Sequence, residues 1–472
     1  MNIKSLAKKF LKSKTALILT LAVLIRFSFA PFTEHRYDMY IWRLNQAFAY
    51  QYGVNPLNPP AWIDKNATVF FWSYPPLWLF CLLAVYPIYA AASHPTFPAN
   101  VSELWRDMYT FNNPCEAYHS YEPENLPLLD LLIKTPLILS DLAISLLLLK
   151  IIRRFSDEEK ARRHVYMWIL NPFVIFISAV WGMFDTIPTL FTLLATWLLL
   201  EGKSGKSAVS LSTAALFKMY PIIFAPILAL LHYKKYRKPA AAMKYLLVTM
   251  GLTVLTMLLV QFCFALIFGQ EPFITSTTMV WLLLKGRASP DWYGSNIFFG
   301  LTPLNIMEGL FKQMNIRANV PISPILICVA TVILLYGISR KKNLDVTDFF
   351  AYITLAHLAI YLTYTVVNEQ YLIWILPFLL VLAAIKNSSK IVFIYWTISL
   401  TVMLFIFAHY GDLSYFISPY FVPGYPGYLP ELLLFGLAAS VIYVMGILFI
   451  LEMDEEKLQG MRKNIDKFKT LI

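Results

Sequence analysis

Apolar runs follow one another along almost the whole chain. They fall at about residues 15–30, 76–92, 127–149, 165–181, 186–200, 207–231, 245–268, 321–338, 349–366, 371–385, 391–408 and 430–450. In hydrocarbon every backbone N–H and C=O must be bonded within the protein, so such runs are helices, and a span takes about 20 apolar residues. The 472 residues are 58% hydrophobic and only 14% charged, against roughly a quarter charged in soluble domains. The fold class is therefore all-α: a polytopic membrane helical bundle of about ten to twelve spans, short re-entrant helices included. No internal repeat, linker or low-complexity tract divides it. The whole of 1–472 reads as one membrane domain, with an outer loop at 31–75 and a cytoplasmic tail at 452–472.

Charge sets the orientation. Lys4, Lys8, Lys9, Lys12 and Lys14 precede the first run, and further basic clusters fall at 150–163, 201–206, 234–238, 340–342 and 386–390. Basic flanks stay in the cytoplasm. The first run then reads as a retained signal-anchor helix, and the net charge of +11 reads as cytoplasmic loops rather than as a nucleic-acid surface. The basic-poor loops 31–70, 269–300 and 409–429 fall outside, with a short outer connection at Asn368–Gln370. The run 207–231 lies between two basic clusters, which forbids one full crossing. Pro221 and Pro226 interrupt it, so two short helices that dip in and return are expected, with Lys218 and Tyr220 beside a cavity. The run 76–92 is expected to be short or re-entrant, which leaves the acidic loop 93–126 outside. Cys81, Cys115, Cys263 and Cys328 form neither a disulfide framework nor a metal spacing.

Ionisable residues at membrane depth are costly and are candidates for function by default. Asp38 follows the first span and should emerge at the outer interface, placed to take a proton from a hydroxyl. Asp185 lies in Trp181–Pro188 at the outer turn of a tight hairpin. Lys218 lies in Phe217–Pro221, and Glu369 and Gln370 open the stretch that runs on to Pro377. Asp130 and Lys134 are four apart on one helix and can pair structurally, while Asp141 caps, pairs or joins the site. Lys285 and Arg287, in an outer loop, run against the charge bias. They read either as a phosphate clamp or as snorkelling helix-end residues.

Several of these segments together resemble the GT-C superfamily of integral-membrane glycosyltransferases. Tyr37-Asp38-Met39-Tyr40, running on to Tyr52-Gly53-Val54-Asn55-Pro56, is similar to the first outer loop of the glycosylphosphatidylinositol mannosyltransferase that adds the first mannose. Ser73-Tyr74-Pro75-Pro76-Leu77 is similar to a run in the dolichyl-phosphate-glucose-dependent glucosyltransferases. Asn171-Pro172 with Trp181–Asp185, Phe217–Pro221 and Gln370–Trp374 complete the pattern over most of 15–385. The chain departs at Tyr40, where the mannosyltransferase carries a second acid, so a two-carboxylate metal site is not favoured; no cofactor is assigned, with a divalent metal as the alternative.

The resemblance implies a hexosyltransferase, with mannose preferred. It would use a polyprenyl-phosphate sugar as donor and a lipid-linked or glycan acceptor, by inverting displacement at the extracytoplasmic face. Asp38 is then the base. Lys218, Lys285 and Arg287 meet the phosphate, Asp185, Glu369 and Gln370 hold sugar hydroxyls, and Trp181, Tyr220 and Tyr371 stack on a ring. A prokaryotic plasma membrane is the expected location, with endoplasmic reticulum as the alternative. Two rival readings remain open: a transporter or lipid flippase, and a non-catalytic subunit of a glycosylation complex.

Overall fold

The computed structural model describes residues 14–58, 72, 74–93, 125–272, 301–302, 322–364, 367–410, 416 and 431–469. The chain runs through α1 (Lys14–Phe29), α2 (Arg36–Tyr50), α3 (Pro76–Ala92), α4 (Leu126–Phe155), α5 (Glu158–Ile169) and α6 (Pro172–Ile175), which continues as a π-helical turn, Phe176–Trp181. There follow α7 (Thr186–Leu200), α8 (Ser204–Phe217), a 3-10 turn at Tyr220–Ile223, α9 (Phe224–Tyr236) and α10 (Pro239–Ile267). The last elements are α11 (Ile322–Arg340), α12 (Val346–Thr363), a 3-10 turn at Glu369–Trp374, α13 (Leu376–Lys386), α14 (Ser389–Tyr410) and α15 (Glu431–Lys469).

Among the described residues six helical stretches are long and apolar enough to cross a membrane: α4, α10, α12, Glu369–Lys386, α14 and Leu434–Met453 of α15. The pair α5–α6 with its π turn, bent by 49°, makes a seventh if it is one span. The protein is a multi-pass helical bundle. Its hub is the stretch Glu369–Lys386, 89% buried inside the protein, whereas α10 is 28% buried and turns most of its surface outward.

Proline places the interruptions. Pro221 has no N–H to give the Phe217 carbonyl one turn back, and its ring would clash there. Helix α8 accordingly stops at Phe217, and Lys218 is extended (φ −152°, ψ 134°). Helix α9 then returns: Lys235 Nζ donates to the Leu200 carbonyl at 2.9 Å and Tyr236 Oη to the Leu199 carbonyl at 3.2 Å. The far end of α9 thus lies beside the start of α8, and the two helices form the expected dip-and-return pair with Lys218 at its apex. Small residues let α8 approach its neighbours closely. Ser207 and Ser210 donate to the Ala195 and Phe191 carbonyls of α7, both at 2.7 Å, and Ser212 donates to the Thr249 carbonyl of α10 at 2.9 Å.

The Asn171-Pro172 step works in the same way. Asn171 accepts from the Phe173 N–H at 2.9 Å, and its amide donates to Tyr395 Oη at 2.7 Å and Ser399 Oγ at 2.9 Å. Tyr395 Oη in turn donates to the Met167 carbonyl at 2.9 Å, so a backbone acceptor at the bend is bonded to α14. Outside this core, α2 and α3 run side by side in the same direction. Trp42 meets Trp78 with ring centroids 5.2 Å apart, Gln46 donates to the Leu82 carbonyl, and Tyr50 donates to the Leu83 carbonyl.

Two buried cations knit α1 to the bundle. Arg26, absent from the sequence candidates, pairs with Asp141 at 3.1 Å and donates to the Ile169 carbonyl at 2.9 Å, while Ser178 donates to the same carboxylate oxygen at 2.5 Å. Asp141 is therefore a structural anchor joining α1, α4, α5 and the π turn. The expected Asp130–Lys134 pair is corrected. Arg43 of α2 takes Asp130 at 3.3 Å and Glu34 at 2.8 Å. The Lys134 ammonium instead donates to the carbonyls of Ala30, Thr33 and Val180, where α1 and the π turn end. Terminal carbonyls lack intrahelical donors and carry partial negative charge, which is what an ammonium satisfies.

Removing Arg26 leaves a buried carboxylate unpaired, which costs about 3–5 kcal/mol. Arg26→Met is expected to lower the unfolding temperature of detergent-solubilised protein sharply, and Arg26→Met with Asp141→Leu to recover much of it, as read by thermal scanning.

Candidate functional site

The site is built where interrupted helices meet. The π turn ends at Trp181, and Gly182 takes the left-handed conformation (φ +89°) that starts the reversal into α7. A Cβ there would lie 2.9 Å from both Lys134 Cε and Met39 Sδ, so glycine serves sterically as well as conformationally. The reversal presents Asp185 toward the apex of the α8–α9 pair. Lys218 Nζ donates to Asp185 Oδ1 at 2.7 Å, and Trp374 Nε1 donates to the same oxygen at 2.6 Å. The second oxygen, Oδ2, is buried without a hydrogen-bond partner among the described residues.

Aromatic rings surround the ammonium. The Tyr371 ring centroid lies 3.9 Å from Lys218 Nζ, with Trp374, Phe184 and Tyr74 at 5.3, 5.4 and 5.8 Å. A ring face is negative, so this box supports the buried cation. Trp374 is held between two rings: Tyr220 stacks on it at 3.5 Å with 4° between planes, and Tyr371 lies 4.4 Å away on a 17° tilt. Glu369 and Gln370 are buried in the 3-10 turn that leads to Trp374, and Gln370 Oε1 also lacks a hydrogen-bond partner among the described residues.

Asp38 occupies the adjoining edge, in the first turn of α2. Its Oδ2 accepts from Trp181 Nε1 at 2.7 Å and lies 3.0 Å from His35 Nδ1. The His35 ring stacks on Trp181 at 4.3 Å, and its Nε2 is 3.2 Å from Tyr410 Oη. His35 is also the N-cap of α2, where Nδ1 accepts from the Asp38 backbone N–H at 3.4 Å. Burial raises the Asp38 pKa, but His35, the Trp181 N–H and the more distant Lys218 outweigh it and hold the carboxyl below its ordinary value.

The structure thus brings together Asp38, Trp181, Asp185, Lys218, Tyr220, Glu369, Gln370 and Tyr371, drawn from segments up to some 330 residues apart in sequence. Lys285 and Arg287 lie outside the described residues. Sequence reasoning missed His35, Trp374 and Tyr410. His35 stands one turn before Asp38, and Trp374 closes the same motif as Gln370, so spacing carried a signal for both. Tyr410, far along the chain, had none. Among the described residues no three His, Cys, Asp or Glu side chains are grouped to hold a metal ion.

A family model described as GPI transamidase subunit PIG-U matches residues 117–292. No curated protein matches the chain. The match takes in α4 to α10, and with them Trp181, Asp185, Lys218 and Tyr220.

This finding corrects the expected activity. The matching family is a subunit of a transamidase and not a sugar-transferring enzyme, so the hexosyltransferase reading, its mannose donor and its glycan acceptor fall. The resemblance to the first-mannose transferase is likewise not carried beyond the coarse similarity of a multi-pass membrane protein.

Two outcomes follow. Gly182→Ala forces a left-handed alanine, costing about 1–2 kcal/mol before the two close contacts are relieved. Faster limited proteolysis and a lower unfolding temperature are expected. Lys218→Met strands Asp185 and should cost about 3–5 kcal/mol. The double variant Lys218→Met, Asp185→Asn should lose distinctly less than Lys218→Met alone in the same thermal scan.

Proposed function

We propose that this chain is a non-catalytic membrane subunit of a multi-protein assembly of the GPI-transamidase kind. The observation that carries the proposal is the PIG-U family match over residues 117–292, which includes the Asp185–Lys218 apex. The charges at that apex are taken up by one another: Lys218 by Asp185, and Asp38 by Trp181 and His35. Such an arrangement suits recognition better than proton transfer, because the Asp38 and Asp185 carboxylates are each already committed through one oxygen.

The role assigned to the site within the assembly is to hold the hydroxyl-rich headgroup of a lipid-borne substrate. Asp185 Oδ2 and Gln370 Oε1 are buried acceptors without donors among the described residues, and hydroxyls would supply them. The orientation argued from the basic clusters places this apex at the extracytoplasmic end of the bundle.

The test is isolation of the tagged full chain from its native membrane in a mild detergent, with native electrophoresis and mass spectrometry of whatever co-migrates. A stable band well above the chain's own 54.3 kDa, holding other membrane proteins in fixed ratio, is expected. The isolated chain should transfer no hexose from polyprenyl-phosphate mannose or glucose. Migration as a lone chain, or sugar transfer by that chain, overturns the proposal.

A further inference from the structure

Helix α9 runs from the apex to the opposite end of the bundle, and two hydrogen bonds join it there to the end of α11. Lys234 Nζ donates to the Ser339 carbonyl at 2.6 Å, and Arg237 Nη2 donates to the Lys342 carbonyl at 3.1 Å. They bring together two basic segments 105 residues apart in sequence. One carries Lys234, Lys235, Arg237 and Lys238, the other Arg340, Lys341 and Lys342. Helix α10 packs against α9 and adds Lys244, exposed near its start. Few acids answer them. Asp348 takes Lys341 and, with Asp345, closes the capping box that starts α12, while Glu201 acts on the Lys235 charge.

The fold accounts for part of this charge. Lys234, Lys235 and Arg237 donate to carbonyls at or just past helix ends, which lack intrahelical donors. Lys238, Arg340 and Lys342 have no such use. All three are exposed, and none makes an ion pair or a side-chain hydrogen bond among the described residues. The basic corner between α4 and α5 differs: there Glu158 takes Arg153 and Arg162, and Asp157 takes Lys160.

The surroundings select the occupant. Tyr233 and Tyr336 stand one turn before Arg237 and Arg340, and Tyr336 is 65% exposed. Tyrosines so placed mark the headgroup level of a bilayer. Beside them α10 exposes Met243 and Leu247, and α11 exposes Val332 and Ile333, surfaces suited to acyl chains. A partner that covers both the apolar faces and the cations carries negative charge at the head of an acyl chain. Clusters of Lys and Arg directly beyond membrane helices attract anionic lipid, at about 1 kcal/mol for each cation near the surface.

We infer that the corner formed by the ends of α9 and α11 and the start of α10 is a binding site for an anionic phospholipid. Its headgroup meets Lys238, Arg340 and Lys342, and its acyl chains lie on the exposed faces of α10 and α11. This site is separate from the apex and does not depend on the subunit reading.

The experiment is native mass spectrometry of the purified full chain, offered equal amounts of phosphatidylserine, phosphatidylglycerol and phosphatidylcholine with matched acyl chains. Wild-type protein is expected to retain both anionic lipids over the choline lipid by on the order of tenfold, the scale of one or two surface cations. The triple variant Lys238→Gln, Arg340→Gln, Lys342→Gln should bring that ratio close to one while the choline lipid still binds. The charge-keeping variant Lys238→Arg, Arg340→Lys, Lys342→Arg should hold the preference. So should Lys150→Gln, Arg154→Gln, Arg163→Gln, which removes equal charge from the α4–α5 corner. Equal retention of all three lipids by wild type, a preference that survives the first variant, or one lost as fully in the α4–α5 variant would each overturn the assignment. Retention of a soluble poly-glutamate peptide in place of the lipids would overturn it too. Thermal scans of each variant separate loss of binding from loss of fold.

Discussion

The Lys218–Asp185 bond ties together the places where this bundle gives up regular helix. Lys218 is the extended residue left when Pro221 ends α8, Asp185 opens α7 after the reversal at Gly182, and Trp374 closes the 3-10 turn before α13. Irregular backbone at membrane depth is tolerated only where protein or enclosed water satisfies it. Here one ammonium, one carboxylate and one indole N–H supply that satisfaction, and the rings of Tyr371 and Tyr220 close around them. Without the pair, a lone charge would be buried at each of the two breaks.

A second cation does comparable work along the edge. Lys134 gathers the carbonyls where α1 and the π turn end, and so fixes the backbone that leads into Gly182. Arg26 and Asp141 hold the same elements one and a half to two turns further down α4. Both cations reach carbonyls at the ends of helices, because those are the points at which backbone carbonyls go without intrahelical partners.

Much of this was legible in the chain. The two basic clusters bracketing 207–231, together with Pro221, dictate a return rather than a crossing, and the paired ends of α8 and α9 show it. Asp38, Trp181, Asp185, Lys218 and Tyr371 were each singled out as polar or amphipathic residues in apolar surroundings, and they converge. The partners were harder to read. Four-residue spacing suggested that Asp130 and Lys134 satisfy each other, but spacing on one helix says nothing of Arg43 on α2 or of the carbonyls that α1 brings in. Function was the least legible. Similar short motifs serve to hold a lipid-borne headgroup or to react with it, and the hydrogen bonds that commit Asp38 are made by His35 and Trp181, only one of which stood among the candidates.

The π turn at Phe176–Trp181 has a bearing on how this segment arose and what it tolerates. A π turn is an α-helix that has accommodated one residue more than its neighbours require. Everything beyond it is rotated by about a third of a turn relative to an uninterrupted α-helix. That added rotation is what turns the Trp181 indole toward Asp38 and His35 while Ser178 still faces Asp141. The turn therefore acts as a phase shifter between the face of one short helix that meets Asp141 and the face that meets Asp38 and His35. A single-residue deletion within it would leave an intact helix whose two faces could no longer both be in register.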